Sequence, residues 1–231
     1  MQSVSLFSLP PSESPPLIGP RSSDSIIEAI VAGDVTMAMD LVKHSDPECL
    51  DWSPTHTCTP LHQAALYGNA DLVEAILDAM PSEAVDLQDG GGRTALHWAL
   101  ELNHRACAHA ILPRTSSDAL SLLDGYNRTP LHLAARTGDL ASVEGILERM
   151  HPKDITARDR SGNAAIEHAI RCGNRKCARA ISRVLDISQA PPWAWQEAIA
   201  TAIRSNDRKM LCYLLDAKGP NGSLDGMLLL R

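Results

Sequence analysis

At 231 residues with a formal net charge of −7, the chain carries no global basic field of the kind that gathers nucleic acid. No apolar run approaches the roughly 20 residues that span a bilayer, and the proline-interrupted N-terminus lacks the basic start of a secretory signal. Cys49, Cys58, Cys107, Cys172, Cys177 and Cys212 form no CxxC and no paired-ligand spacing, so reduced thiols, no bound metal, and a cytoplasmic or nuclear setting are expected.

Residues 1–23 hold five prolines and seven serines. That composition buries too little apolar surface to offset chain ordering and predicts a disordered tail. A polyproline ligand or a phosphorylated docking segment is the alternative use of such a stretch. From residue 24 the pattern becomes short helix, tight turn, second helix. Residues 26–44 give the first such unit, with Ile26, Ala29, Ile30, Gly33 and then the apolar positions of 35–42.

A more explicit segment begins at Thr59-Pro60-Leu61-His62-Gln63-Ala64-Ala65. It returns as Thr94-Ala95-Leu96-His97-Trp98-Ala99-Leu100 and as Thr129-Pro130-Leu131-His132-Leu133-Ala134-Ala135. A degenerate copy stands at Ala164-Ala165-Ile166-Glu167-His168-Ala169-Ile170. The four copies are spaced 35 residues apart, and a fixed period in this range is the signature of a solenoid of stacked supersecondary units. Gly33, Gly68, Gly138 and Gly173 follow the first helices, with Asn103 in the third unit; each tolerates the left-handed conformation that ends a helix. Pro81, Pro113 and Pro152 stop the second helices. Turn sequences at residues 89–92, 124–127 and 159–162 lead into the next unit. Residues 193–216 form a sixth copy shifted two residues early, carried by Ile199, Ala202, Met210, Leu211, Leu214 and Leu215. The two end units lack the signature, as expected where an outer face meets water. Residues 217–231 read as a linker and an apolar tail ending Met227-Leu228-Leu229-Leu230, which either caps the last repeat or contacts another chain.

Residues 124–138 read Asp-Gly-Tyr-Asn-Arg-Thr-Pro-Leu-His-Leu-Ala-Ala-Arg-Thr-Gly. This closely resembles the unit of the ankyrin-repeat family, departing only at Asn127, where that family carries Gly. The resemblance covers roughly residues 24–216. It implies an all-α ankyrin-repeat solenoid of about six stacked helix-turn-helix units with finger turns between repeats. The threonines suit N-cap positions, and Pro60 and Pro130 suit the first helical position. The resemblance implies that His62, His97 and His132 tie neighbouring units through backbone hydrogen bonds, a structural duty.

The resemblance also implies a non-enzymatic protein–protein interaction module, an adaptor, inhibitor or scaffold, that uses finger tips and first-helix ends. Carried onto this sequence, the partner-binding positions are Leu66, Tyr67, Arg93, Trp98, Glu101, Tyr126, Arg128, Arg136, Arg160, Arg171 and Arg204. One helix-end site runs Val31, Leu66, Glu101, Arg136, Arg171, Arg204 along the stack. The groove is therefore expected to be apolar at its N-terminal end and basic at its C-terminal end, complementary to a protein with an acidic segment. Solvated arginines of purely structural consequence are the plainer reading. An enzyme or small-molecule site around Trp98, Tyr67 and the arginines is the alternative function; no nucleophile–base arrangement or phosphate-cradling loop supports it. No cofactor, nucleic acid or membrane partner is expected, and the chain is expected to be monomeric.

Overall fold

The computed structural model describes residues 22–47, 50, 58–185 and 192–218. These residues form twelve α-helices and no strand. The helices pair as α1 Ser22–Ala32 with α2 Val35–His44, α3 Pro60–Tyr67 with α4 Ala70–Ala79, and α5 Ala95–Glu101 with α6 Arg105–Ile111. The series continues with α7 Pro130–Thr137 and α8 Leu140–Leu147, α9 Ala165–Arg171 and α10 Arg175–Val184, then α11 Pro192–Arg204 and α12 Arg208–Lys218. First helices α1, α3, α5, α7, α9 and α11 pack one on the next, and each also packs on its own second helix. The expected tail 1–23 lies outside the described residues up to Arg21, with α1 starting at Ser22. Residues 55 and 56, where the repeat pattern places the finger tip before the first Thr-Pro-Leu-His segment, and the apolar end of the C-terminal tail also lie outside them.

Small side chains let the first helices stack closely. Ala64, Ala65, Ala99, Ala134, Ala135 and Ala169 are fully buried, with Leu61, Leu96, Leu131 and Ile166 beside them. Removing this apolar surface from water stabilises the stack by roughly 25 cal/mol per Å². Cys107 and Cys177 are buried in the same core; burial pushes the Cys107 thiol up to about 11, so it acts as a small hydrophobe.

The caps follow from the repeated segment. Thr59 N–H donates to His62 Nδ1 at 3.2 Å, and the threonine hydroxyl contacts the same nitrogen at 2.8 Å. Thr94 with His97 and Thr129 with His132 repeat this. The other ring nitrogen of each histidine donates to a carbonyl one repeat ahead: His62 to Arg93 O, His97 to Arg128 O and His132 to Asn163 O, at 3.0–3.2 Å. In the fifth unit Ala164 has no hydroxyl, and Glu167 Oε2 accepts from Ala164 N–H at 2.6 Å instead. The sixth unit departs from the others because α11, at 13 residues, extends beyond the start of every other first helix.

Candidate functional site: a cleft between fingers and first helices

The three fingers beginning at Asp89, Asp124 and Asp159 are closed turns, each organised by its aspartate. Asp124 Oδ1 accepts from the backbone N–H groups of Tyr126 and Arg128, while Asp124 N–H donates to Arg128 O at 3.0 Å. Asp89 and Asp159 do the same in the neighbouring fingers. Successive fingers are joined by Gly125 N–H to Gly91 O and Arg160 N–H to Tyr126 O, both at 2.8 Å. Asn127 adopts φ +58°, the left-handed conformation filled by Gly92 and Gly162 in the flanking fingers, so its departure from the family residue leaves the turn intact.

The second carboxylate oxygen of each aspartate holds a residue at the cleft wall. Nine positions on from Asp89 and Asp159 stand Trp98 and His168, whose Trp98 Nε1–H and His168 Nε2–H donate to Oδ2 at 2.8 Å. The equivalent residue in the fourth unit is Leu133, which has no donor. There Arg128 Nε donates to Asp124 Oδ2 at 2.8 Å instead.

That engagement draws Arg128 into a network with Glu101. The Glu101 carboxylate, at the end of α5, takes a short hydrogen bond from Arg128 and pairs with Arg136 Nη2 at 2.7 Å. Burial alone would raise the Glu101 carboxyl. The two guanidinium groups outweigh it and hold the group below the ordinary carboxylate range. Asp124 is held down in the same way, with burial opposed by hydrogen bonds from Arg128 and the finger backbone.

An open cleft of about 450 Å³ lies at this junction, walled by four arginines (Arg93, Arg128, Arg136 and Arg160) together with Tyr126, Ser161 and His168. Its two carboxylates, Glu101 and Asp159, are already paired with residues of the same walls. Burial lowers the His168 imidazole below its ordinary value, with Asp159 only partly offsetting it. Neutral His168 therefore donates to Asp159 and braces the finger.

Of the sequence-expected positions, Arg93, Glu101, Tyr126, Arg128, Arg136 and Arg160 meet in the cleft. Tyr126 is 54% exposed, with the Arg128 guanidinium 4.9 Å from its ring centroid. Trp98 does not line the cleft. Its indole is spent on Asp89, and Arg93 covers its ring at 4.3 Å. Leu66 and Tyr67 lie at the end of α3 and do not line the cleft; Tyr67 is exposed, as are Val31 at the end of α1 and Leu102 just after α5. Arg171 and Arg160 are exposed and make no ion pair among the described residues. Arg204 pairs with Glu197 at 2.6 Å and does not reach the cleft.

Within the helix-end series, Glu101 and Arg136 of successive repeats form an ion pair. Glu101 sits in the middle and bridges Arg128 and Arg136, one carboxylate shared between two guanidinium groups, because stacking brings residues of adjacent repeats within reach. Ser161, beside Arg160 at the expected finger tip, also lines the cleft; Asp159 and His168 complete it and were not among the expected binding positions. The nine-residue spacing from finger aspartate to helix donor was the legible signal for Asp159 and His168. Among the described residues no cluster of three or more His, Cys, Asp or Glu side chains is placed to hold a metal ion.

Comparison with known proteins agrees with this architecture. A family described as ankyrin repeats in three copies matches residues 26–122, and a single ankyrin repeat matches residues 126–160. The human diacylglycerol kinase iota is 39% identical over 75 residues, which is 32% of this chain and 7% of that relative. The mouse and rat forms of the same protein give 39% and 37% identity over the same length. The match spans a small fraction of these relatives and falls on the ankyrin region, not on a catalytic domain.

Proposed function

This chain belongs to the ankyrin-repeat family, and we propose that it is a non-enzymatic adaptor, inhibitor or scaffold that receives an acidic segment of a protein partner in the cleft between its third and fifth repeats. One observation carries the reading: among the described residues, four arginines and two carboxylates line one open cleft, leaving it an excess of positive charge, and both carboxylates are already hydrogen-bonded within its walls. Arg160 and Arg171 supply the approach, being exposed with their guanidinium groups uncommitted among the described residues. Planar guanidinium groups accept carboxylates in bidentate geometry, and Glu101 already illustrates that chemistry within the chain. Val31, Leu66, Tyr67 and Leu102, at or beside the ends of α1, α3 and α5, give the partner a second contact, and such a groove is used by a monomer in the cytoplasm or nucleus.

Selection of random displayed peptides on the full chain tests this. The expected outcome is enrichment of Asp and Glu, with at least tenfold weaker binding of the selected peptides to Arg160→Glu/Arg171→Glu. Peptides without acidic enrichment, or equal binding to a folded variant, overturn the reading. A small-molecule site is the second reading, favoured by a cleft volume within the 300–1,000 Å³ usual for ligands. Selection of no peptide, with a small anion protecting the cleft residues from modification, would support it instead.

A further inference from the structure

The second helices carry an independent charge pattern that the groove does not use. Residues 22–150 hold 7 basic and 19 acidic side chains, whereas residues 151–218 hold 12 and 7. The reversal concentrates on α10 and α12. Arg175, Lys176, Arg179 and Arg183 are all exposed on α10, and Arg208 and Lys209 on α12. The equivalent α4 positions are Ala70, Asp71, Glu74 and Asp78, and those of α8 are Leu140, Ala141, Glu144 and Glu148. Solvation alone does not select one sign in this way, since α4 and α8 solvate the same face with acids, and α6, with Arg105 and His109 there, carries no comparable row of cations.

The two basic helices form one surface. Arg175 Nε pairs with Asp207 at 2.7 Å, and the Arg179 guanidinium lies 5.1 Å from the Tyr213 ring centroid. α12 packs chiefly on α11, and these side-chain contacts link its N-terminal end and Tyr213 to α10. Lys176, Arg183, Arg208 and Lys209 make no ion pair among the described residues. Val184 and Leu215, exposed aliphatics at the C-terminal part of α10 and α12, flank the cations.

From this arrangement we infer that the α10–α12 face is a docking surface for an anionic lipid bilayer. Cations spread over two adjacent helices, rather than gathered around a hollow, match a sheet of many equivalent headgroup charges. Among the described residues the face presents no open aromatic platform for stacking bases, because Arg179 covers Tyr213. Each basic side chain near an anionic leaflet strengthens binding about fivefold, so four to six produce measurable but salt-sensitive association. The opposing charges on the surrounding elements are Asp207, already paired with Arg175, Asp216 on α12, and the α8 row of Glu144 and Glu148. That row lies one helix away, at a packing distance of about 8–10 Å, comparable to the Debye length at physiological salt. Exposed Val184 and Leu215 add shallow apolar contact at the headgroup boundary. No helix among the described residues is long and apolar enough to cross a membrane, so the contact is peripheral. The inference is independent of the acidic-partner reading.

Co-sedimentation of the full chain with vesicles of phosphatidylcholine containing 30% phosphatidylserine tests it at low and physiological salt. Binding is expected to these vesicles and not to pure phosphatidylcholine, falling as salt rises. Lys176→Glu/Lys209→Glu should weaken it at least tenfold. The pair proposed to meet the acidic partner, Arg160→Glu/Arg171→Glu, with the same change in net charge, should retain most of it. Circular dichroism and melting curves verify that both variants are folded. Absence of vesicle binding, or equal loss in both variants, overturns the inference. Binding to a 20-base-pair DNA duplex without binding to vesicles overturns it in favour of nucleic acid, and salt-dependent self-association without vesicle binding overturns it in favour of a second copy.

Discussion

Glu167 stands where the three preceding repeats carry histidine, and it does only half of that residue's work. Its Oε2 caps α9 through Ala164 N–H, while Oε1 is buried with no partner and the residue is 1% exposed. The histidine elsewhere donates to a carbonyl of the next repeat, and a carboxylate has no proton to donate. Burial, reinforced by the nearby Glu197 charge, raises the carboxyl above its ordinary value of 4.5 despite the Ala164 hydrogen bond. A raised value contributes stability that is present below pH 4.5 and is lost as pH rises through the folded value. Glu167→Gln keeps an acceptor for Ala164 and removes the buried charge. The variant should therefore gain on the parent as pH rises from 5 to 7.5. A gain on the order of 1 kcal/mol at the upper end would appear as a melting temperature about 2–4 °C higher. Melting curves of both proteins at the two pH values check this; a difference independent of pH would contradict it.

At the scale of elements, the first helices end against the next repeat as well as within their own. Gly138 has φ +79°, and a Cβ there would lie 2.6 Å from Asn174 Oδ1. Asn174 Nδ2 meanwhile donates to Ala135 O and Arg136 O at 2.9 and 2.8 Å, closing the C-terminus of α7. His104 plays the same part over Gly68, with Nε2–H donating to Leu66 O at 3.2 Å. Gly173 has a similar φ of +75° but nothing within 4 Å of a built Cβ. Both Gly138→Ala and Gly173→Ala incur the strain of a left-handed alanine, about 1 kcal/mol. Only the first also displaces Asn174, and it should cost about 1–2 kcal/mol more through the two disrupted hydrogen bonds. Urea unfolding of the two variants gives the comparison, and equal losses would show that Asn174 yields freely.

For the whole molecule, the repeat-to-repeat ties depend on neutral histidines. Burial lowers His97 and His132 to about 4, and lowers His62 in the same direction. Nearby carboxylates and carbonyl hydrogen bonds only partly offset that effect. A depressed value means that stability is full above the ordinary value of 6.5 and is lost as pH falls through the folded value. At pH 5 the loss is roughly 2 kcal/mol for each histidine held near 4. Because three successive junctions share this chemistry, acid should weaken the stack along its length. Urea midpoints measured from pH 7.5 to pH 5 should fall steeply below pH 6.5, and His97→Gln should be less stable than the parent at pH 7.5 but less sensitive to acid. A flat profile would refute the assignment.

The fold was written in the chain because its determinants are local and repeated. Threonine before histidine, alanine at the stacking positions and Gly or Asn after each first helix act within one unit or between adjacent units, so their spacing announces them. The helix pairs, the caps and the buried histidines were all legible for that reason. The cleft was legible only in part. Arg136 and Arg160 could be assigned to the right face, but nothing in their own sequence neighbourhood couples Arg136 and Arg128 to Glu101, 35 and 27 positions away. That coupling arises because stacking places unlike residues from adjacent repeats side by side. Likewise, the basic face of α10 and α12 exists as one surface only because α12, packed chiefly on α11, reaches α10 through Asp207 and Tyr213. The sequence by itself determined the repeat and its ties, which are set by short-range hydrogen bonding and helix capping. The tertiary structure alone decided which charges are neutralised and which stand free of ion pairs, because electrostatic pairing depends on distance in space rather than on separation along the chain.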